Sequence, residues 1–100
     1  MIIPKTKTIR DQINELEKEL KQAEKDQMKS IGERIKEHRN KNGLTQQKLA
    51  DQTNVERSQI TNIESGKHGV TWQNLILICI ALNVSSDYIL GLTDSDFITP

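Results

Sequence analysis

The sequence predicts an all-α protein, and three observations support this fold class. Residues 8–28 contain no Gly or Pro and consist mostly of residues with high helix propensity. After residue 30 the chain contains several short amphipathic segments. Most of these segments are preceded by Ser or Thr and followed by Gly or Asn, which is the pattern of capped helices. No segment alternates β-branched and polar residues with the period of two that a half-buried strand requires.

Length and composition favour one small domain with one appended element. Only 3 of the 100 residues are aromatic, so the core is expected to consist of Ile, Leu and Val. The single Cys79 excludes an internal disulfide and favours a reducing cytosol. The start of the chain lacks the apolar segment of a signal peptide, and the longest nearly apolar run, residues 75–82, is too short to cross a bilayer. We therefore expect a cytoplasmic protein with no membrane partner.

Charged residues are unevenly distributed although the formal net charge is zero. Residues 29–69 carry eight basic and five acidic side chains, residues 70–100 carry three acidic and no basic ones, and residues 1–28 carry six of each sign. The central part of the chain is therefore basic and the C-terminal part acidic, so the electrostatic potential should differ between two sides of the molecule. Such an uneven potential is typical of proteins that bind nucleic acid with one surface.

Residues 1–29 are predicted to form an N-terminal helical extension with a possible coiled coil. Within residues 8–28, apolar residues recur at spacings of four and three, the heptad rhythm: Ile9, Ile13, Leu16, Leu20 and Ala23. A lone helix with so narrow a seam is marginal in water, so it should pack against another helix or its own domain. The flanks of the seam are mostly acidic, which disfavours a parallel homodimer. An antiparallel pair, an intramolecular packing and a different partner protein all remain compatible with the pattern.

Residues 30–94 are predicted to form a domain of five helices, and residues 95–100 a short tail. The first helix is expected at about residues 31–41, with Ser30 and Glu33 forming a capping box. The alternative is a first helix that continues through Ser30 without a break. The other helices are expected at residues 46–52, 57–64, 72–82 and 87–90. Thr45 is the expected N-cap of the first of these, Thr71 of the third and either Ser85 or Ser86 of the last.

The helices at residues 46–52 and 57–64 have the spacing of a helix-turn-helix. The first would bury Leu49 and Ala50, and the second would bury Ile60 and Ile63, with Val55 filling the turn. Burial of these residues turns several polar side chains toward solvent or a ligand: Arg57, Ser58, Thr61 and Asn62, with Gln59 at the border. Their chemistry matches base edges, because Arg suits guanine, Asn or Gln suits adenine, and Ser and Thr suit several partners.

Three blocks, GLTQQKLA, IESGK and LILICIALNVSSDYILG, together resemble the phage-repressor, Cro-like (Xre-type) helix-turn-helix family. The resemblance covers about residues 31–94 without a gap. It implies a five-helix lambda-repressor-like DNA-binding domain, preceded in this chain by the extra N-terminal amphipathic helix. It also implies a sequence-specific transcriptional regulator of double-stranded DNA, with repression as the expected effect.

The resemblance assigns roles by position. Gln46 and the N-terminus of its helix would meet a phosphate, and Lys67 corresponds to a loop that contacts the DNA backbone. Arg39 and Glu64 correspond to a partly buried ion pair of many members. Together the residue types and the resemblance predict this DNA-binding set: Thr45, Gln46, Gln47, Arg57, Ser58, Gln59, Thr61, Asn62 and Lys67.

One position departs from the family's pattern. Glu56 stands at the cap of the second motif helix, where a small hydroxyl residue or Asn is common. Glu is a poorer cap and places a negative charge near the phosphates, so lower affinity is expected. Asn54 is a candidate to take over part of the capping.

The remaining chemically distinctive residues are expected to have ordinary structural roles. His38 and His68 are predicted to lie at the surface or to contact a phosphate, Trp72 to be a partly buried anchor, and Cys79 to lie in the core. The sequence contains no nucleophile–base pair, no phosphate-cradling Gly loop and no metal-ligand spacing. We therefore expect no catalytic residues, no metal and no cofactor.

The expected function is that of a bacterial, phage or mobile-element regulator that binds a pseudo-palindromic operator as a homodimer and is nucleoid-associated when bound to DNA. The dimer would form through the last helix and tail, with Tyr88, Leu92, Phe97 and Ile98, or through the N-terminal helix. The alternative is an antitoxin or anti-repressor-type interaction module whose residues 8–28 bind a partner protein.

Overall fold

The computed structural model describes residues 8–95 and places five α-helices and no strand in that range. The helices are α1 (Ile9–Lys41), α2 (Gln46–Thr53), α3 (Arg57–Glu64), α4 (Trp72–Leu82) and α5 (Ser86–Ile89). The predicted fold class is confirmed, and the ends of α2 to α5 lie within one residue of the predicted ones. No helix in the described range is both long and apolar enough to span a membrane.

Helix α1 is continuous through Ser30, so the prediction of two helices separated at that residue was wrong and the uninterrupted alternative is correct. The helix begins at a capping box formed by Thr8 and Asp11, where Thr8 Oγ1 accepts a hydrogen bond from the Asp11 N–H at 3.2 Å. It ends at the C-cap Asn42.

Tertiary contacts explain this continuity. Ile31 and Ile35 are buried one helical turn apart in the core, and Gly32 between them lies directly against α3. A Cβ atom at Gly32 would overlap the carbonyl oxygen of Ile63 and lie 2.8 Å from that of Glu64. Gly32 therefore permits the close approach of two helices.

One apolar core holds the five helices together. The turns between them are shaped by αL residues, Asn54 (φ +59°) after α2 and Asn83 (φ +53°) after α4. The buried apolar residues come from all five helices and from the two segments that precede α3 and α5: Ile31, Ile35, Leu49, Ala50, Val55, Ile60, Ile63, Leu75, Ile78, Cys79, Leu82, Val84 and Ile89.

Two side chains have the opposite exposure from the predicted one. His38 is buried, because α5 packs on α1 and the Tyr88 ring meets the His38 ring edge-on, with 5.0 Å between the ring centroids. Trp72 is 69% exposed at the start of α4, on a side of the helix that the rest of the described chain leaves uncovered.

The first part of α1, residues 9–27, is the N-terminal arm. None of its residues is buried, and its four large apolar residues are exposed by 75% (Ile9), 48% (Ile13), 56% (Leu16) and 61% (Leu20). The possibility that the arm packs on its own domain is therefore excluded. The molecule is correspondingly elongated, with principal dimensions of 56 × 30 × 20 Å.

Candidate functional site

Helices α2 and α3 form a helix-turn-helix whose turn is held by side-chain hydrogen bonds. Thr45 caps α2 by accepting a hydrogen bond from the Lys48 N–H at 3.1 Å. At the other end of α2, the buried Thr53 hydroxyl donates to the Leu49 carbonyl at 2.7 Å and accepts from the Val55 N–H at 3.3 Å. These contacts fix where the chain leaves α2 and therefore where α3 begins.

The two faces of α3 differ in burial and chemistry. Ile60, Ile63 and Glu64 are buried, whereas the opposite face exposes a row of polar side chains, with Asn62 half-buried at its edge: Arg57, Ser58, Gln59 and Thr61. Arg57 and Thr61 share a face because they are four residues apart in the helix. The exposed row spans about the first turn and a half of α3. Seven of the nine predicted DNA-binding residues are exposed, and Gln46 and Asn62 are half-buried.

A buried ion pair fixes α3 to α1. Arg39 Nε donates to Glu64 Oε2 at 2.7 Å and Arg39 Nη2 donates to Glu64 Oε1 at 2.9 Å, a bidentate geometry. Arg39 Nη1 also donates to the Leu44 carbonyl at 2.7 Å. The hydrogen bonds to Glu64 raise the pKa of Arg39, outweighing the opposing effect of burial, so the guanidinium stays charged. The Glu64 carboxylate thus faces the protein interior.

Gln46 extends this pair into a network that joins three helices. Its Nε2 donates to Glu64 Oε1 at 3.2 Å, and its Oε1 lies 2.9 Å from the Thr61 hydroxyl. The Thr61 hydroxyl is also 3.0 Å from the Arg57 carbonyl, and with a single proton it donates to only one of these acceptors at a time. The start of α2 and the middle of α3 are therefore held together by polar contacts at the exposed surface.

Sequence reasoning missed this network, although it identified each member. Gln46 and Thr61 were assigned to phosphate and base contacts, and in the structure their polar groups also bond to each other across the motif. The separation of 15 residues between them follows no helical period, so no sequence pattern signals the contact.

Two further residues of the predicted DNA-binding set, Gln47 and Lys67, lie at opposite ends of the motif. Gln47 is exposed in the first turn of α2, and its side-chain Nε2 donates to Asp51 at 2.9 Å. Lys67 is exposed just after α3, where its backbone N–H donates to the Asn62 carbonyl at 3.0 Å. This backbone bond turns the chain directly at the end of α3.

Glu56 is the N-cap of α3 and makes no side-chain capping hydrogen bond. The side-chain caps of the other four helices are Thr8, Thr45, Thr71 and Ser85. Asn54 takes part instead in ending α2, as its left-handed C-cap. The first turn of α3 therefore presents backbone N–H groups and the exposed Glu56 carboxylate side by side.

Apart from the exposed Gln73, the surface of α4 is apolar, and it lies outside the helix-turn-helix. Trp72, Ile76, Leu77 and Ile80 are exposed there, beside a shallow depression of about 320 Å³ lined by Ile76, Cys79 and Ile80 together with residues 84–87. Farther along the chain, Tyr88 is half-buried and Leu92 is exposed, whereas Phe97 and Ile98 lie outside the described residues.

Cys79 lies in the core and its thiol has low reactivity. Burial raises the pKa of its thiol to about 11, so the thiol is protonated near neutral pH and is a weak nucleophile. Within residues 8–95, no group of three or more His, Cys, Asp or Glu side chains is arranged to hold a metal ion.

Comparison with known proteins gives one consistent relationship. A profile described as "Helix-turn-helix domain" matches residues 32–95. The chain is 36% identical over 62 residues to the HTH-type transcriptional regulator ImmR of Bacillus subtilis (strain 168), a match that covers 62% of this chain and 49% of that protein. It is 34% identical over 55 residues to the control protein C.SmaI of Serratia marcescens, covering 55% of this chain and 66% of that protein.

Among solved structures, the chain is similar to the crystal structure of the restriction-modification controller protein C.AhdI from Aeromonas hydrophila, with a TM-score of 0.60 and 27% sequence identity. That match covers 62% of this chain and 94% of the controller protein. The match to ImmR spans about half the length of that relative, and the match to C.SmaI about two thirds. The profile match lies almost entirely within the predicted domain, and the predicted resemblance is confirmed.

Proposed function

Because the chain belongs to the helix-turn-helix domain family, we propose that it binds double-stranded DNA in a sequence-specific manner and regulates transcription as a repressor. The observation that carries this proposal is the exposed row on α3, formed by Arg57, Ser58, Gln59 and Thr61 above two buried isoleucines. A short helix that is anchored on one side and polar on the other has the form required to enter a major groove.

The residues divide into two kinds of contact. Arg57, Ser58 and the neighbouring row residues, with Asn62 at its edge, reach base edges and set sequence preference. Thr45, Gln46 and Gln47 at the start of α2, and Lys67 after α3, contact phosphates and fix the register on the duplex. The Arg39–Glu64 pair holds α3 in the orientation that these contacts need. No catalytic step is part of this function.

The DNA-bound form is a homodimer on a pseudo-palindromic operator, assembled through the apolar surface of α4. Residues 70–95 carry Asp87 and Asp94 and no basic residue, so phosphates would repel this surface and it faces away from DNA. Exposed Trp72, Ile76 and Ile80 supply the apolar contact area that a second copy would bury. Such a protein acts in the cytoplasm and associates with the nucleoid when bound to its operator.

Selection of binding sequences from a random duplex pool tests this proposal directly. We expect one enriched sequence with two-fold symmetry, bound with an affinity that falls as salt rises, because basic residues release counterions from phosphates. A pool that yields no enriched sequence would contradict the proposal.

Arg57→Ala tests the assignment to α3. This variant should lose about 1–3 kcal/mol of discrimination against altered base pairs at one position in each half-site. Lys25→Ala is the matched control, because it removes one positive charge from the exposed surface of the arm, away from the motif. Equal losses of affinity in the two variants, with discrimination retained in both, would mean that α3 supplies charge and not base contacts.

A further inference from the structure

The N-terminal arm presents an apolar stripe that its own domain leaves uncovered. Ile9, Ile13, Leu16 and Leu20 lie on one face of α1, because spacings of four, three and four residues keep them in line over three turns. A helix segment without tertiary packing is marginal in water, and an exposed apolar stripe of this kind marks an interaction surface.

We propose that the arm is a self-association surface, on which two copies of the chain pair through their arms in antiparallel orientation. The pairing would be separate from the contact through the α4 surface. It needs no DNA, and it therefore stands or falls independently of the function proposed above.

The apolar residues select one antiparallel register. Their spacing places Ile13 and Leu20 at a positions and Ile9 and Leu16 at d positions of a heptad. In an antiparallel pair each a residue faces a d residue of the other helix. With Ile13 opposite Leu16 of the second copy, Ile9 lies opposite Leu20, and the two-fold axis repeats both layers.

Four layers of large aliphatic side chains result from this register. A shift by one heptad would place Ile9 opposite Gln27 and Ile13 opposite Ala23, which removes less apolar surface from water. The register with Ile13 opposite Leu16 therefore buries the stripe more completely than this shifted register does.

The charged residues beside the stripe favour the antiparallel orientation. In a parallel pair, Glu19 of each copy would lie beside Glu24 of the other, giving two repulsive contacts. In the antiparallel register, Arg10 of each copy instead lies beside Glu17 of the other, and Gln12 lies beside Glu19. Two opposite-charge contacts and no like-charge contact then flank the apolar layers.

These charge contacts arise only between copies. Arg10 and Glu17 are seven residues apart in one helix, which separates them by about 10 Å along its axis. Energetic coupling between these two side chains would therefore report on the pairing of two arms.

A pairing of four layers is short and weak by itself, and a second contact strengthens it. Copies already joined through the α4 surface hold their arms at a raised effective concentration. If both contacts form between different pairs of copies, the chain assembles beyond the dimer, because each copy carries two self-association surfaces.

Cysteine cross-linking in the full-length chain tests the pairing and its orientation. Ile13→Cys and Leu16→Cys are prepared separately, then mixed and oxidised mildly without DNA. The mixture should give a cross-linked dimer, and each variant alone should give none, because position 13 of one copy faces position 16 of the other copy and neither position faces itself. The unsubstituted chain, whose Cys79 is buried, is the control and should remain uncross-linked.

Two outcomes would overturn the proposal. Cross-linking of each variant by itself to the same extent as the mixture would show a parallel pair. A complete lack of cross-linking, in variants whose circular dichroism matches the unsubstituted chain, would show that the copies do not pair through their arms.

A charge exchange gives a second readout that leaves the apolar stripe intact. Arg10→Glu and Glu17→Arg should each weaken association of the full-length chain in sedimentation equilibrium, and the double variant should restore it. If the losses of association free energy were additive in the double variant, the proposed contact between Arg10 and Glu17 of the other copy would be contradicted.

Discussion

The two halves of α1 are parts of one uninterrupted helix, yet different forces maintain them. Residues 31–41 are fixed by the core through Ile31 and Ile35, by contact of Gly32 with α3, and by the ion pair of Arg39. The N-terminal arm has a capping box at Thr8 and high helix propensity but no buried residue. Secondary structure alone therefore says little about how strongly a segment is held.

The comparison also separates two kinds of surface. In the domain, helix α3 buries its apolar residues and exposes polar ones, which suits a ligand rich in hydrogen-bonding groups and charge. The arm exposes its apolar residues along one line, which suits another helix. Each of the following variants tests whether stability and association are divided between the two regions in this way.

The largest difference is expected between a buried and a surface ion pair. Glu64→Ala leaves Arg39 buried without its partner and should lower the free energy of unfolding by about 3–5 kcal/mol. Glu37→Ala removes the pair of Glu37 and Lys41, which spans 3.3 Å at the surface, and should cost at most about 0.5 kcal/mol. Urea denaturation of both variants measures the difference. Similar losses would show that the Arg39–Glu64 pair does not hold α3.

Truncation of apolar residues in the two halves of α1 should also have unequal effects. Ile35 is fully buried, so Ile35→Ala should destabilise the domain by about 2–5 kcal/mol through lost burial and a cavity. Leu16→Ala should leave the unfolding of the domain unchanged at low protein concentration and weaken association at high concentration. A large loss of domain stability from Leu16→Ala would contradict the separation of the two regions.

Gly32→Ala tests the contact between α1 and α3. In an exposed helix this change stabilises by about 1 kcal/mol, but at Gly32 the added methyl group meets the backbone of Ile63 and Glu64. We expect a net loss of about 1–3 kcal/mol, because backbone cannot yield as a flexible side chain does. Glu33→Ala, one residue farther along the same helix and exposed, should be nearly neutral. A stabilised Gly32→Ala protein would show that the two helices separate readily.

The smallest effects are expected from changes to helix caps. Helix α3 packs on the core but lacks a side-chain cap, whereas the N-terminal arm has a side-chain cap but does not pack on the core. Glu56→Ser should stabilise the domain by about 1 kcal/mol by supplying the missing cap of α3. Glu56→Gln removes the charge without supplying a cap. A rise in DNA affinity in both variants would therefore be due to the loss of the negative charge near the phosphates. Thr8→Ala should reduce helicity, measured by circular dichroism, without shifting the unfolding of the domain.

Local sequence signals predicted the parts of the fold that local chemistry controls. The starts of α2, α4 and α5 follow from hydroxyl caps, and the ends of α2 to α5 follow from Asn or Gly, because these residues satisfy backbone groups within a few positions. The spacing of Ile60 and Ile63 likewise identified the exposed row of α3. Signals of the same kind failed at Ser30, where a capping box pattern and a glycine occur inside a continuous helix.

The sequence by itself determined that the chain is helical, that α2 and α3 form a helix-turn-helix, and that an apolar stripe runs along the arm, since each depends on spacing within one segment. Only the tertiary structure decided that α1 is unbroken, that His38 is buried while Trp72 is exposed, and that Gln46 joins Glu64 to Thr61. These features depend on contacts between residues that are distant in the chain. Packing determines which side chains meet another helix, and no local period in the sequence encodes these contacts.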